Sequence, residues 1–388
     1  MENLKIAILL HFYQPWWQTP EILEKIVEEC YRPIIKLVKK ESGFCFSVNV
    51  NYSLLELLDG GSGEHYDGFI LNDFRDVIDG FKKAIEESKI ELLGSTAYHP
   101  IMPLIPTDLQ ILQMLADIEF KKMLWGIERN CDGIFLPEMA WSQNILPNLK
   151  GCGYRWTILD DVPFKAQYNY VPFNYIPTIQ GDFKIFLRSN YWSNLIASGK
   201  LDFQTLKNRL NYEFPQWTKN QPAYLILALD AETFGHHHRG LVENFLKPLV
   251  KEWGNDASGI LMPIEKIAEF FPSKNFLKIN DGSWSTSEDD YWQNNPFPLW
   301  NSKFDLYHRN LWRLVNLALR HFGKPEVNLD CLKITSSCHW WWISGRPWWK
   351  PDLMKFGARK AMEIIEKFGS AEEIAEARKI SERLNALN

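Results

Sequence analysis

Short apolar runs recur along the first two thirds of the chain, at residues 5–12, 45–52, 90–96, 133–138, 155–161, 183–189 and 224–232. Several are nearly continuous rather than alternating, the pattern of parallel strands covered on both faces. The segments between them carry helix-start signals. Thr19-Pro20-Glu21 sets a hydroxyl ahead of a proline at a first helical position, Ser53-Leu54-Leu55-Glu56 has capping-box spacing, and Thr107-Asp108 opens a helix through Leu124. Seven such units in series predict an α/β fold: an incomplete TIM-like (β/α)7 barrel, with an open doubly wound sheet as the alternative. Past about residue 270 the period becomes helical, over residues 304–322, 329–343, 351–368 and 371–387. The last segment lines up Ile374, Ala377, Ile380 and Leu384 on one stripe. The expected organisation is a catalytic barrel over residues 1–271 and a helical C-terminal region, 272–388, that completes its cleft. Residues 281–301, rich in Ser, Asp and Trp, read as a long functional loop.

Composition narrows the class. Among 388 residues, 46% are hydrophobic and 23% charged, as in a globular protein. A net charge of −5 leaves no footprint for nucleic acid or an anionic membrane, so neither is expected as a partner. There is no run of 18 apolar residues, and the apolar segment after Met1-Glu2-Asn3 is too short for a secretory leader, which predicts a cytoplasmic protein. Six scattered cysteines without a CxxC pair read as free thiols in apolar surroundings rather than a disulfide or zinc framework. The 17 Trp, 24 Phe and 14 Tyr suit either a bulky core or stacking on the apolar faces of sugar rings.

The chemistry sits where the strands end, because the loops of a βα barrel converge on the face at the strands' C-terminal ends. The first strand delivers His11 and Gln14, the second Asn49 and Asn51, the third His99. The fourth delivers Glu138 and Trp141, the fifth Asp160 and Asp161, the seventh Asp230, Glu232 and His236-His237-His238. Each has an ordinary reading: Glu138 as a helix cap, Asp230 as a partner for loop amides, His11 and His99 as packing residues, the histidine run as a solvated loop or metal site. Five strands each ending in an ionisable group argue for more, since such a group is costly to bury without purpose or partner. Two acids on one barrel face point to acid and nucleophile chemistry.

These residues resemble glycoside hydrolase family 57, retaining enzymes acting mostly on α-glycans. Leu10-His11-Phe12-Tyr13-Gln14-Pro15 follows the family's His-x-His-Gln-Pro opening, with Tyr13 in place of the second histidine. Gly94-Ser95-Thr96-Ala97-Tyr98-His99-Pro100 is similar to its second motif. Phe135-Leu136-Pro137-Glu138-Met139-Ala140-Trp141-Ser142 is similar to the third, which carries the nucleophile, and Leu229-Asp230-Ala231-Glu232-Thr233-Phe234-Gly235 to the fourth, which carries the acid/base. Looser likenesses lie at Gly282-Ser283-Trp284 with Asp289-Asp290, and at Ser336-Ser337-Cys338-His339-Trp340. The resemblance covers residues 4–345 in the family's order.

The resemblance implies a retaining glycosidase or transglycosidase of α-amylase or glucanotransferase type, acting on an oligo- or polysaccharide without cofactor or metal. Glu138 would attack the anomeric carbon; Asp230 would protonate the leaving oxygen and then activate water. His11, Gln14, His99, His236 and His339 would bind sugar hydroxyls, and Trp141 or Trp284 would stack on a ring. Glu232, two residues past Asp230, would share its side of an extended strand and hold a hydroxyl or tune Asp230. The competing readings are an α-galactosidase of the same family, a metal-dependent deacetylase or α-mannosidase, and a non-catalytic sugar-binding protein.

Overall fold

The structure is a computed structural model that describes residues 3–60, 74–127, 131–346 and 348–386. Among the described residues, nine strands form one sheet: β1 (Leu4–Phe12), β2 (Phe46–Val50), β3 (Ile90–Leu93), β4 (Gly133–Ile134), β5 (Trp156–Asp160), β6 (Ile176–Ile179), β7 (Phe183–Arg188), β8 (Ala223–Asp230) and β9 (Ser273–Phe276). Seven are the strands expected from the apolar runs, and they pair in parallel in the order β3-β2-β1-β8-β7-β5-β4. The remaining seam, β4 to β3, is closed by hydrogen bonds from Gly94 N to Gly133 O and from Phe135 N to Gly94 O, each 2.9 Å. The incomplete (β/α)7 barrel is therefore correct, and the open doubly wound sheet is not.

Two strands were not expected. β6 runs antiparallel to β7 through a tight turn in which Gln180 and Gly181 both have positive φ, and β9 pairs with β6. β6 has a proline inside it, and the first three residues of β9 are exposed, so neither reads as a strand in an apolar pattern.

The barrel wall obeys the strand period of two. Ile6, Ile8, Leu10 and Phe12 pack outward with the surrounding helices, whereas Ala7 and Leu9 pack inward with Ile158, Phe186, Ile226 and Ala228. His11 continues the inward row of Ala7 and Leu9, and Asp230 that of Ile226 and Ala228. Register then places His11 beside Asn49 on β2 and beside Asp230 on β8. Three polar side chains thus meet at one level because apolar residues fill the barrel below them.

After β9 come helices at Glu288–Trp292, Leu306–Leu319, Pro325–Ile334, Cys338–Trp341, Pro351–Phe368 and Ala371–Asn385. The segment expected as one helix over 329–343 breaks at Thr335–Ser337, and that break reaches the active-site face. The final helix keeps Ala377, Ile380 and Leu384 buried, with Ile374 partly buried against the same cluster. Leu387, its expected last residue, and Met1-Glu2 lie outside the described residues. Asn51, not Ser53, caps the helix Tyr52–Leu58, and residues 281–301 contain a helix with a true capping box between Ser287 and Asp290. All six cysteines are free, with Cys30, Cys331 and Cys338 buried. Among the described residues, no helix is long and apolar enough to cross a membrane.

The seam has a steric requirement. A Cβ on Gly94 would lie 2.4 Å from the Tyr154 hydroxyl, and one on Gly133 would lie 2.2 Å from the Trp156 ring. Gly151 meets nothing within 4 Å. Gly94→Ala is expected to lower stability by about 1–3 kcal/mol from overpacking, while Gly151→Ala, in a helix, leaves it unchanged or raises it by up to about 1 kcal/mol. Urea unfolding of the two variants checks this, and equal effects would contradict a packed seam.

Candidate active site

Glu138 lies in a 3-10 turn, Pro137–Met139, shortly after β4 ends at Ile134. Its backbone is left-handed, φ 58° and ψ 15°, and so are those of Met139 and His99, with φ of 48° and 56°. Such geometry costs a non-glycine residue of order 1–3 kcal/mol and persists where neighbours enforce it. Here the enforcing groups come from distant segments. Trp284 N donates to Glu138 O at 3.3 Å, and Ser337 N donates to His99 O at 2.9 Å.

The same two residues hold the carboxylate. Trp284 Nε1 donates to Glu138 Oε2 at 2.6 Å, and Ser337 Oγ donates to Oε1 at 3.1 Å. His99 Nδ1 lies 2.9 Å from Ser337 Oγ and 3.7 Å from Glu138 Oε1. His99 Nε2 lies 3.2 Å from His11 Nε2, and His11 Nδ1 lies 2.7 Å from Asn49 Oδ1. Tyr13 stacks on His99 with ring centres 3.9 Å apart, and its hydroxyl lies 3.3 Å from both Ser336 Oγ and Cys338 Sγ. The phenol standing in place of a second motif histidine therefore pins His99 and bonds to the C-terminal region.

Burial pushes the Glu138 carboxyl up to about 7, and the negative charge of Asp230 adds to this; the Trp284 and Ser337 hydrogen bonds oppose it. Burial lowers His99 further and His11 as well, although Asp230 and the Asn49 hydrogen bond pull His11 back up. Asp230 itself ends β8 with its side chain exposed. Its charge is felt at Glu138, His11, Glu232 and His237.

Several expected contacts fall elsewhere. Glu232 does not share an extended strand with Asp230, because β8 ends at Asp230 and a 3-10 turn follows over Ala231–Thr233. Its carboxylate accepts from Gln14 Nε2 at 2.9 Å and from the Tyr31 hydroxyl, and burial together with Asp230 raises it to about 7. Gln14 is thereby committed to Glu232 rather than open to a sugar. Trp141 is wholly buried, bridged by backbone bonds to Gly282, and shows no ring face to a ligand. His236 bonds Glu29 at 2.8 Å at the rim. His339 is buried and stacked on Trp17 at 4.3 Å, with a Cβ at Gly357 only 2.3 Å from its ring, so it is a packing residue.

Ser337, part of a motif but given no role there, joins the site, together with Asn49 and His237, which were read only as strand-end groups. Ser337 lay inside the recognised C-terminal motif but beside the more conspicuous His339. His237, inside the histidine run, is lowered by burial, with the charge of Asp230 opposing the shift.

Beside Trp284 opens a cavity of about 570 Å³ lined by Asn190, Asn194, Ser285, Thr286 and Arg346 among others. A cavity of about 390 Å³ elsewhere is walled by Tyr191, Trp192 and Trp217, and neither cavity is lined by Glu138 or Asp230. The first adjoins the chemistry through the Trp284 ring. Among the described residues, no three His, Cys, Asp or Glu side chains are grouped to hold a metal ion.

The family model for glycosyl hydrolase family 57 matches residues 7–280. The chain belongs to that family. This family 57 chain is 24% identical to a 4-alpha-glucanotransferase of Thermococcus kodakarensis over 166 residues, 43% of this chain and 23% of that protein. An alpha-amylase of Pyrococcus horikoshii is also 24% identical, over 43% of this chain and 24% of its own. The aligned part spans about a quarter of the length of these curated relatives. The solved 4-alpha-glucanotransferase from Thermococcus litoralis superposes with a TM-score of 0.72 at 16% identity, covering 95% of this chain and 60% of that one. A GH57-type branching enzyme from Pyrococcus horikoshii gives 0.66 at 15% identity, covering 99% and 95%. At these identities the likeness to the solved family 57 structures is one of fold.

Because the folded protein holds a proton on Glu138 up to about pH 7 that the unfolded chain gives up near 4.5, this group favours folding below 4.5 and loses that contribution as pH rises toward 7. Glu138→Gln is expected to be more stable than the parent by roughly 1–3 kcal/mol well above pH 7. The gain should vanish in acid. Urea titrations at the two extremes measure it, and a gain independent of pH would mean that ionisation is not its source.

Proposed function

We propose that this protein is a retaining glycosidase or transglycosidase acting on α-linked glycans, with Glu138 as nucleophile and Asp230 as acid/base. The observation that carries the reading is the clamp on Glu138. Both carboxylate oxygens and the backbone carbonyl are fixed, on the barrel face where Asp230 projects. A fixed carboxylate beside a second, solvent-reached carboxyl suits double displacement.

In the first step Asp230, protonated, gives its proton to the glycosidic oxygen while Glu138 bonds to the anomeric carbon. The leaving sugar departs. In the second step Asp230, now a carboxylate, takes a proton from water, which displaces Glu138. A sugar hydroxyl in place of water makes the reaction a transfer. The cavity beside Trp284, apolar over most of its wall with a few polar groups, suits a glycan, with the indole ring as a stacking face and the asparagines as hydrogen-bonding groups. We read residues 272–388 as completing this cleft, since Trp284 and Ser337 both come from them. The alpha-amylase and 4-alpha-glucanotransferase relatives support an α-glucan ahead of an α-galactoside as substrate.

The test is a screen of aryl α-glucoside, aryl α-galactoside, maltooligosaccharides and glycogen, followed by two variants. Glu138→Gly is expected to lose several orders of magnitude in turnover and to yield, with azide and an activated substrate, a glycosyl azide of inverted configuration. Asp230→Ala should spare activated aryl substrates, accumulate glycosyl-enzyme, and give the azide with retained configuration. Exchanged outcomes would reverse the two roles, and unimpaired kinetics in both variants would end the reading.

A further inference from the structure

The groups leading away from Glu138 form an unbroken chain that obeys a simple hydrogen count. Its four links are Glu138 Oε1 to Ser337 Oγ at 3.1 Å, Ser337 Oγ to His99 Nδ1 at 2.9 Å, His99 Nε2 to His11 Nε2 at 3.2 Å, and His11 Nδ1 to Asn49 Oδ1 at 2.7 Å. Asn49 turns its amide nitrogen toward Gly94 O, 3.4 Å away, so its oxygen is what meets His11. Four links need four hydrogens. Two neutral imidazoles and one hydroxyl supply three. The fourth sits either on Glu138, as a carboxylic acid, or on an imidazole, as a cation.

We propose that His11 is a positioning residue that receives the proton of Glu138 through Ser337 and His99, so that the nucleophile ionises without releasing a proton to solvent. This rests on the catalytic reading of Glu138. The transfer balances link by link. The Glu138 Oε1 proton passes to Ser337 Oγ, the serine's own hydrogen passes to His99 Nδ1, and the hydrogen on His99 Nε2 passes to His11 Nε2. The products are a carboxylate and a His11 imidazolium whose Nδ1–H remains on Asn49. All four links are intact before and after; the first three reverse direction and the His11–Asn49 link keeps its own.

The destination is set by the surroundings. Burial disfavours a cation at both histidines, and more strongly at His99; at His11, which adjoins Asp230 in the β1–β8 register, an ionised Asp230 and the Asn49 hydrogen bond oppose it, whereas at His99 the charge of His11 adds to it. The other groups facing the chain stay neutral. Tyr13, stacked on His99, and Cys338, beside Tyr13, are both raised by burial, the thiol to about 12. Trp284 holds only the other carboxylate oxygen, and Phe135, stacked on His11, carries no charge. The arrangement also has a counter-charge logic. The imidazolium first balances Glu138, and once Glu138 is esterified it balances the Asp230 carboxylate left by proton donation.

The test reads protonation directly, in the intact, substrate-free protein. Histidine ¹⁵N and glutamate ¹³C spectra are recorded at and below about pH 7, where the chain still holds its fourth hydrogen, with His11 assigned by its loss in His11→Gln. The expected result is an imidazolium at His11 wherever Glu138 is a carboxylate, and a neutral His11 in Glu138→Gln, whose amide donates toward Ser337 and locks the opposite direction. A neutral His11 beside an ionised Glu138 would overturn the proposal. Asn49→Asp separates it from plain electrostatics. A new carboxylate acting through space would raise Glu138 and move the acid limb of kcat/KM to higher pH. Acting through the chain it stabilises the His11 cation and moves that limb to lower pH, by about one unit. A limb moving upward would overturn the proposal. If Asn49→Asp fails to fold, the spectra decide alone, and they remain informative if no glycan proves to be a substrate.

Discussion

A carboxylate that is largely buried, on a residue forced into left-handed backbone, is stable only if other groups hold it there. Trp284 and Ser337 each do so twice, once with a backbone amide and once with a side-chain donor, on Glu138 and on its neighbour His99. Remove either residue and both the conformation and the charge lose support. The break between the helices ending at Ile334 and beginning at Cys338 and the loop before Glu288 serve that requirement, since the first brings Ser337 and the second Trp284 to the carboxylate.

The remaining acids divide by environment. Asp230 stays exposed at the end of β8, whereas Glu232 is turned into the helix layer by a 3-10 turn and satisfied by Gln14 and Tyr31. Asp160 is likewise committed, to Arg188 and Asn190 in the barrel wall. Asp230 is thus the acid of the three that stays exposed, while the other two are held by their neighbours.

Much of this was legible from residue order. Seven apolar runs gave seven parallel strands, and the period of two carried His11 and Asp230 to the same end of the barrel interior. What escaped notice lacked apolar signal. β9 is mostly exposed and β6 contains a proline, so neither announces itself. Ser337 is a small polar residue in a helix break, and its importance comes from a contact 199 positions away in sequence. The conspicuous aromatics misled for a related reason. Trp141 and His339 are the residue types that sugar sites use, but burial decides what a ring can do, and sequence does not report it. Gln14 and Glu232 were recognised as polar strand-end groups, yet each spends its polarity on the other.

The Glu138 clamp also fixes when competence can arise during synthesis. The barrel strands that carry the two acids are complete by residue 230, but the donors to Glu138 arrive at residues 284 and 337. A chain still emerging from the ribosome can pair all seven strands and yet have neither donor in place, so the Glu138 carboxylate is unheld. Because chains fold as they emerge, N-terminal parts first, the clamp closes only after the polypeptide has grown well past residue 138.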